Sequence, residues 1–247
     1  MPALAALDLG TNNCRLLVAR PHAEGFEVID SFSRIVRLGE GLAGTGWLKE
    51  RAMARTIAAL RVCARIMARH GVMQARCVAT EACRRAHNGP EFLARVRRTT
   101  GIELEILGYE QEAHLALLGC LPLIERSAGA ALLVDIGGGS TEILWLDDGA
   151  PEAGALTSIS LPLGVVALSE VFGPEPDAST FEAMVRHVRA AIAGAPAMRH
   201  CAMRLPSQLV GTSGTITTLA ALHLDLRRYD RQRIDPVPAK NASQAAN

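Results

Sequence analysis

Apolar residues open the chain in short alternating runs: Leu4 to Leu7, Cys14 to Val18 and Phe26 to Phe32 read as strands broken by glycine-containing and polar stretches. The order returns later with nearly the same spacing, in Ala131 to Val134, Thr141 to Leu146 and Ala155 to Leu161, with loops at Pro21 to Gly25 and Asp147 to Gly154. Between the two sets the period changes. From Arg51 to His70 the apolar positions Met53, Ile57, Leu60, Ala64 and Met67 recur at helical spacing, and Gly71 stands where a C-cap glycine belongs. The opposite face of that helix carries Arg51, Arg55, Arg61, Arg65 and Arg69, which we read as a solvated row. Arg76 to Thr80 reads as a strand, and Thr80 to Asn88 as the strand end and a short helix. Asn88, Pro90 and Glu91 start a further helix, with Asn88 as its cap, an inner face of Phe92, Val96 and Thr99, and Gly101 as its stop. Ile102 to Leu107 alternates like a half-buried strand, and Thr217 to Leu226 reads as a helix.

Repetition at this scale predicts two related domains rather than a solenoid, whose units would be far shorter, and a ligand site in the cleft between them. Each repeat holds one unusual turn, Asp8-Leu9-Gly10-Thr11-Asn12-Asn13 and Asp135-Ile136-Gly137-Gly138-Gly139-Ser140-Thr141. An aspartate at the end of a buried strand, followed by residues with little side chain, lets backbone N–H groups curl around an oxyanion. Asx-type capping of the turn by the same aspartates is the local alternative.

Composition narrows the chemistry. A net charge of +1 over 247 residues lacks the basic excess of a nucleic-acid binder. Lys49 and Lys240 are the only lysines, so no Gly-Lys-Ser/Thr P-loop exists. The six cysteines form no CxxC pair or zinc-like spacing, and no targeting or membrane-length apolar run is present, which together predict a cytoplasmic protein with free thiols.

Seven motifs then stand in a familiar order: Asp8 to Asn12, Arg37-Leu38-Gly39-Glu40-Gly41, Ala79 to Arg84 with Asn88, Glu112-Ala113, Asp135 to Glu142, Leu161-Pro162-Leu163-Gly164, and Gly211 to Thr215. Together they resemble the exopolyphosphatase/guanosine pentaphosphate phosphohydrolase (Ppx/GppA) family over roughly residues 3 to 235. The resemblance implies an α/β, actin-like fold of duplicated ribonuclease-H-like domains around a phosphate-binding cleft, as in sugar kinases and chaperone ATPases. It places domain I at residues 1 to 122 and domain II at 128 to 235, with the hinge near Leu121 to Gly129.

The implied activity is hydrolysis of the terminal phosphoanhydride of inorganic polyphosphate or pppGpp with Mg²⁺. Glu112 is then the carboxylate that directs the attacking water, because phosphoryl transfer asks mainly for positioning and charge neutralisation plus one group to guide the nucleophile. Asp8 and Asp135 would hold Mg²⁺ directly or through water. Gly10, Thr11, Asn12, Arg84, Gly137, Gly138, Gly139, Ser140 and Thr141 would bind phosphate oxygens. On local context alone, Glu112 merely complements a helix dipole and Arg84 makes a surface ion pair. Family members often dimerise through their C-terminal parts, which extends the expectation to a homodimer.

The chain departs from the family pattern at Gln111, where a glutamate is frequent, and at His114, where arginine is. After Asp235 it runs into a Pro/Ala/polar stretch, so we expect an irregular tail at 236 to 247 and an incomplete second domain with an uncovered apolar face. Three other readings share these motifs: an actin-like ATPase or kinase, a non-catalytic polyphosphate or alarmone-binding module, and an inert fragment.

Overall fold

The computed structural model describes residues 1–125, 129–147, 156–196, 206–228 and 230–234. The expected linker run at 126–128, most of the loop at 147–154 and the tail from residue 235 lie outside the described residues. By packing, the chain divides into two units: Met1–Gly108 with Val166–Pro174, and Tyr109–Val165 with the residues from Glu175 onward.

The first unit is built on β1 (Leu4–Leu9), β2 (Asn13–His22), β3 (Gly25–Ile35), β4 (Gln74–Ala79) and β5 (Glu105–Ile106), in the order β3-β2-β1-β4-β5. The first three strands are antiparallel neighbours, while β4 and β5 run parallel to β1. Alternation along β1 turns Ala5, Leu7 and Leu9 to one face. That face is covered by α2 (Glu50–Arg69) and α4 (Gly89–Thr100), after the short α1 (Leu42–Thr45) and α3 (Glu81–Arg85) are counted in chain order. Ile57, Leu60 and Cys63 of α2 and Phe92 and Val96 of α4 complete the core. Each fully buried Leu or Phe here contributes about 1.5–3 kcal/mol.

Four local expectations are corrected. The hairpin is longer than read: β2 continues through Pro21 to His22, and the turn is Ala23-Glu24. Pro21 is tolerated there, because β1 begins at Leu4 opposite Ala19 and leaves the β1 side of Pro21 without a ladder neighbour. The β2–β3 register also shifts between Val18 and Ala19. Asn88 precedes α4 without a side-chain cap bond. Its amide instead spans forty residues, accepting from Leu48 N at 2.9 Å and donating to Leu48 O at 3.0 Å. Thr99 is exposed, and Thr100 takes the half-buried place. Of the expected strand Ile102 to Leu107, Glu105–Ile106 pairs with β4.

The second unit repeats the design with β6 (Ala131–Ile136), β7 (Thr141–Leu146), β8 (Leu156–Leu161) and β9 (Gln208–Thr212), ordered β8-β7-β6-β9. β6, β7 and β8 are antiparallel and β9 is parallel to β6, so the four strands correspond to β1, β2, β3 and β4. This duplicated sheet order is the ribonuclease-H-like topology that defines each half of an actin-like protein. β5 has no counterpart among the described residues. α5 (Tyr109–Cys120) packs Ala113, Leu117 and Cys120 against Ala131, Leu133, Leu144 and Leu146. In chain order α6 (Val165–Phe172), nearly all of which belongs to the first unit, is followed by α7 (Ala178–Gly194), α8 (Ser213–His223) and α9 (Arg231–Ile234) of the second. Leu219 and Leu222 of α8 and Leu209 of β9 are exposed. No described helix is long and apolar enough to cross a membrane.

Candidate functional site

In the first unit, Asp8 is the penultimate residue of β1, and Gly10 N donates to Asn13 O at 2.9 Å to close the turn. The loop after β3 then grips the turn from behind. Val36 N and Arg37 N both donate to Asn12 O (2.8 and 3.0 Å), and Gly39 N donates to Thr11 O (3.0 Å). In a planar trans peptide the N–H points opposite to the C=O, so fixing the carbonyls of Thr11 and Asn12 aims the amides of Asn12 and Asn13 away from the loop. The loop itself bends sharply, with Arg37 in the left-handed region at φ 46°. It is held there by α2. Arg55 donates to Val36 O at 2.5 Å, Arg37 O at 3.0 Å and Glu40 at 3.2 Å, and Arg51 also bonds Glu40. The arginine row of α2 is largely solvated, with Arg55 half-buried, yet two members pin the loop and Arg69 pairs with Asp30 at 2.5 Å. Thr11 is buried, and its hydroxyl has no hydrogen-bond partner.

The second unit repeats this support atom for atom in part. Gly137 N donates to Ser140 O at 2.9 Å, and the loop after β8 backs the turn: Val165 N donates to Gly137 O (3.1 Å) and Leu163 O accepts from Thr141 Oγ1 (2.5 Å). Holding Gly137 O aims the Gly138 amide the other way. The Gly10 and Gly137 amides and the Thr141 hydroxyl are thus engaged in closing and bracing the turns. Gly164 lies so close to the Gly138–Gly139 peptide that a Cβ there would come within 3.0 Å of backbone atoms. Thr215 at the start of α8 donates to Ile136 O at 2.8 Å.

The two turns differ in charge. Asp135 is register partner to Glu142 on β7, so both carboxylates leave the same face of the sheet. Glu142 is buried and accepts from Ser160 Oγ at 2.8 Å. Asp8, in the equivalent place, faces Arg15. Glu142 was visible in the sequence as the end of the glycine motif, but its pairing with Asp135 depends on strand register and carried no role there.

Arg84 sits on α3, which starts at the carboxyl end of β4, where Thr80 N donates to Leu9 O at 3.1 Å beside the first turn. Its guanidinium is bonded to Glu81 and to Leu107 O. Glu112 lies in the first turn of α5, half-buried beside the buried Ala113, whereas Glu110, Gln111 and His114 are exposed. At the other end of that helix the Cys120 thiol is pushed up by burial and by the nearby Asp135 charge, against a hydrogen bond with Thr212. By helical rise, Glu112 is about 12 Å along the axis from Cys120.

Among the described residues, five cysteines are free thiols. Burial pushes Cys83 up to about 12 and, with Cys63 nearby, Cys77 up to about 11. Such thiols stay protonated and are poor nucleophiles.

No group of three or more His, Cys, Asp or Glu side chains gathers as a metal cage among the described residues. Magnesium asks for less: one or two carboxylates, with waters and substrate phosphate completing its shell. Asp135 and Glu142, register partners on one face of the sheet, supply two carboxylates for that demand. The buried, unpartnered Thr11 hydroxyl fits an oxyanion.

Known proteins resemble the chain over most of its length. The chain is 33% identical over 242 residues to Exopolyphosphatase 2 of Mycobacterium tuberculosis, covering 94% of this chain and 74% of that protein. It is 34% identical over 221 residues to Exopolyphosphatase 1 of the same organism, covering 89% of this chain and 63% of that one. The crystal structure of the Aquifex aeolicus Ppx/GppA family member superposes with a TM-score of 0.70 at 32% identity, over 94% of this chain and 72% of the other. An exopolyphosphatase from Cytophaga hutchinsonii shares the fold, with a TM-score of 0.79 at 22% identity over 92% and 72%. Residues 17–240 match the family that these proteins represent, and the chain belongs to the Ppx/GppA phosphatase family.

Proposed function

We propose that the protein is a phosphohydrolase that removes the terminal phosphate of inorganic polyphosphate by attack of water. The observation that carries this reading is the pair of turns, each closed by the same i to i+3 bond and each braced from behind by the loop after the third strand. A brace of this kind presents backbone amides without reorganisation, which is what stabilising a charged phosphoryl group requires. The names of the mycobacterial relatives favour polyphosphate over pppGpp.

In the proposed reaction the amides of Asn12, Asn13 and Gly138 and the hydroxyl of Thr11 hold phosphate oxygens, and Arg84 neutralises one of them. Glu112 orients the attacking water and takes its proton. Asp135 with Glu142, and Asp8, would hold Mg²⁺, whose contribution when bound is to neutralise the polyanion and the charge that develops on the leaving oxygen. No covalent intermediate with the protein is needed. The free thiols among the described residues fit a reducing compartment such as the cytoplasm.

The test is ³¹P detection of phosphate release from polyphosphate, pppGpp and ATP. Release from polyphosphate is expected to stop with EDTA and return with Mg²⁺, because unneutralised carboxylates repel the substrate. Release from ATP alone would replace this reading with an actin-like ATPase, and undiminished activity after thorough chelation would remove the metal role of the aspartates.

A further inference from the structure

Arg84 differs from the other expected phosphate ligands in coming from neither turn, and a carboxylate on its own helix, that of Glu81, bonds its guanidinium. Glu81 Oε2 accepts from Arg84 Nε at 3.2 Å and from Nη2 at 2.7 Å, while Leu107 O accepts from Nη1 at 2.5 Å. The guanidinium is rigid and planar, so bonds at these three nitrogens fix both its plane and the direction of its Nη1–Nη2 edge, the edge that forks around a phosphate. The pair is withdrawn from water: the Glu81 side chain is 3% exposed and that of Arg84 13%.

Burial makes this arrangement hard to explain as a stabilising device. A pair three residues apart on an exposed helix face would add little, and a buried one is matched or exceeded by apolar residues of the same volume. Glu81 is also imperfectly satisfied. Its Oε1 is buried without a hydrogen-bond donor, and Arg85 Nε stands 3.7 Å away. The place in the fold supplies the reason. Thr80 N bonds Leu9 O, and Thr80 O accepts from Cys83 N and Arg84 N, so α3 is tied to the strand end that carries the first turn.

We propose that Glu81 is a positioning residue for phosphate binding: it acts through Arg84, holding the guanidinium edge in the orientation that takes a phosphate oxygen pair. This rests on the reading of Arg84 as a phosphate ligand.

The experiment is a double-mutant cycle on the full chain with Glu81→Ala, Arg84→Ala and the double variant, read as tripolyphosphate affinity by calorimetry and as initial rate of phosphate release from polyphosphate. Glu81→Ala is expected to weaken affinity about tenfold and to have no further effect once Arg84 is alanine, the full coupling of residues in direct contact. Glu81→Gln keeps an acceptor oxygen but loses the charge and is expected to cost about threefold, a charged hydrogen bond being roughly twice as strong as a neutral one. Added formate should restore part of the Glu81→Ala loss, and none in the double variant. Equal losses in the wild-type and Arg84→Ala backgrounds, or an unchanged affinity, would overturn the proposal; should Glu81→Ala not fold, Glu81→Gln runs through the same cycle. Wild-type protein that binds tripolyphosphate but releases no phosphate overturns the hydrolase reading alone. Wild-type protein that binds none overturns both.

Discussion

Replacing Gly164 by alanine tests the brace behind the second turn. No positive φ is involved, so alanine can adopt the backbone conformation, and the effect must come from space alone. The added Cβ would lie within 3.0 Å of Gly138 C and O and Gly139 N, which are backbone atoms and cannot rotate aside. Overpacking of this kind costs about 1–3 kcal/mol. That strain has two outlets. If the turn holds its place, the cost falls on folding, and at this chain length about 1 kcal/mol lowers Tm by roughly 2–4 °C. If the turn yields, stability is spared and the Gly138 amide moves, so tripolyphosphate affinity falls, by about tenfold for each 1.4 kcal/mol. Thermal unfolding and calorimetric titration, run on the same preparation, should therefore share the loss between them. Gly119→Ala on α5 is the control, because its Cβ meets nothing within 4 Å, and it should stabilise by about 0.5–1 kcal/mol. Wild-type Tm together with wild-type affinity in Gly164→Ala would refute the idea that this contact sets the geometry of the turn.

Asn88→Ala removes both bonds to Leu48 and strands two backbone groups, so it should destabilise the first unit by about 1–3 kcal/mol in urea titration, far more than loss of an exposed polar side chain. Asp177 caps α7 and is held below the usual carboxylate range by the Thr180 side chain, then by the Thr180 N–H and Ser179. A depressed folded value means that its contribution is present above about pH 4 and is lost as pH falls through the folded value. Asp177→Ala should therefore lower Tm at pH 7 and converge with wild type near pH 2. Glu112→Gln keeps shape but removes the base, so turnover should fall by about 10² or more with tripolyphosphate affinity equal or higher; Glu110→Gln, at an exposed position, should leave turnover unchanged.

The sheet repeat was legible because each of its signals is local. Alternation marks β1 and β6, and small residues mark the turns that follow them. The face of α2 was equally plain, since Ile57 and Leu60 repeat at helical spacing. What escaped depends on distant partners. Asn88 has the composition of a helix cap, and nothing nearby shows that Leu48 takes its amide instead. Arg51 and Arg55 look like any charged helix face until the loop of Val36 to Glu40 is folded against them. The closeness of Asp135 and Glu142 requires the β6–β7 register, in which a slip of one residue would put them on opposite faces.

The register shift between Val18 and Ala19 divides the first hairpin mechanically. Pairing from Asn13 with Ile35 to Val18 with Asp30 belongs to the turn and its brace, while pairing from Ala19 with Val28 to His22 with Gly25 belongs to the exposed tip. A bulge absorbs a change of one residue, so length added at Ala23-Glu24 should be taken up before it reaches the turn. For protein engineering this makes the hairpin tip an insertion port: a peptide tag or fluorescent reporter placed there would ride on the sheet that ends at Asp8 and leave the spacing between Thr11 and Gly39 as it is.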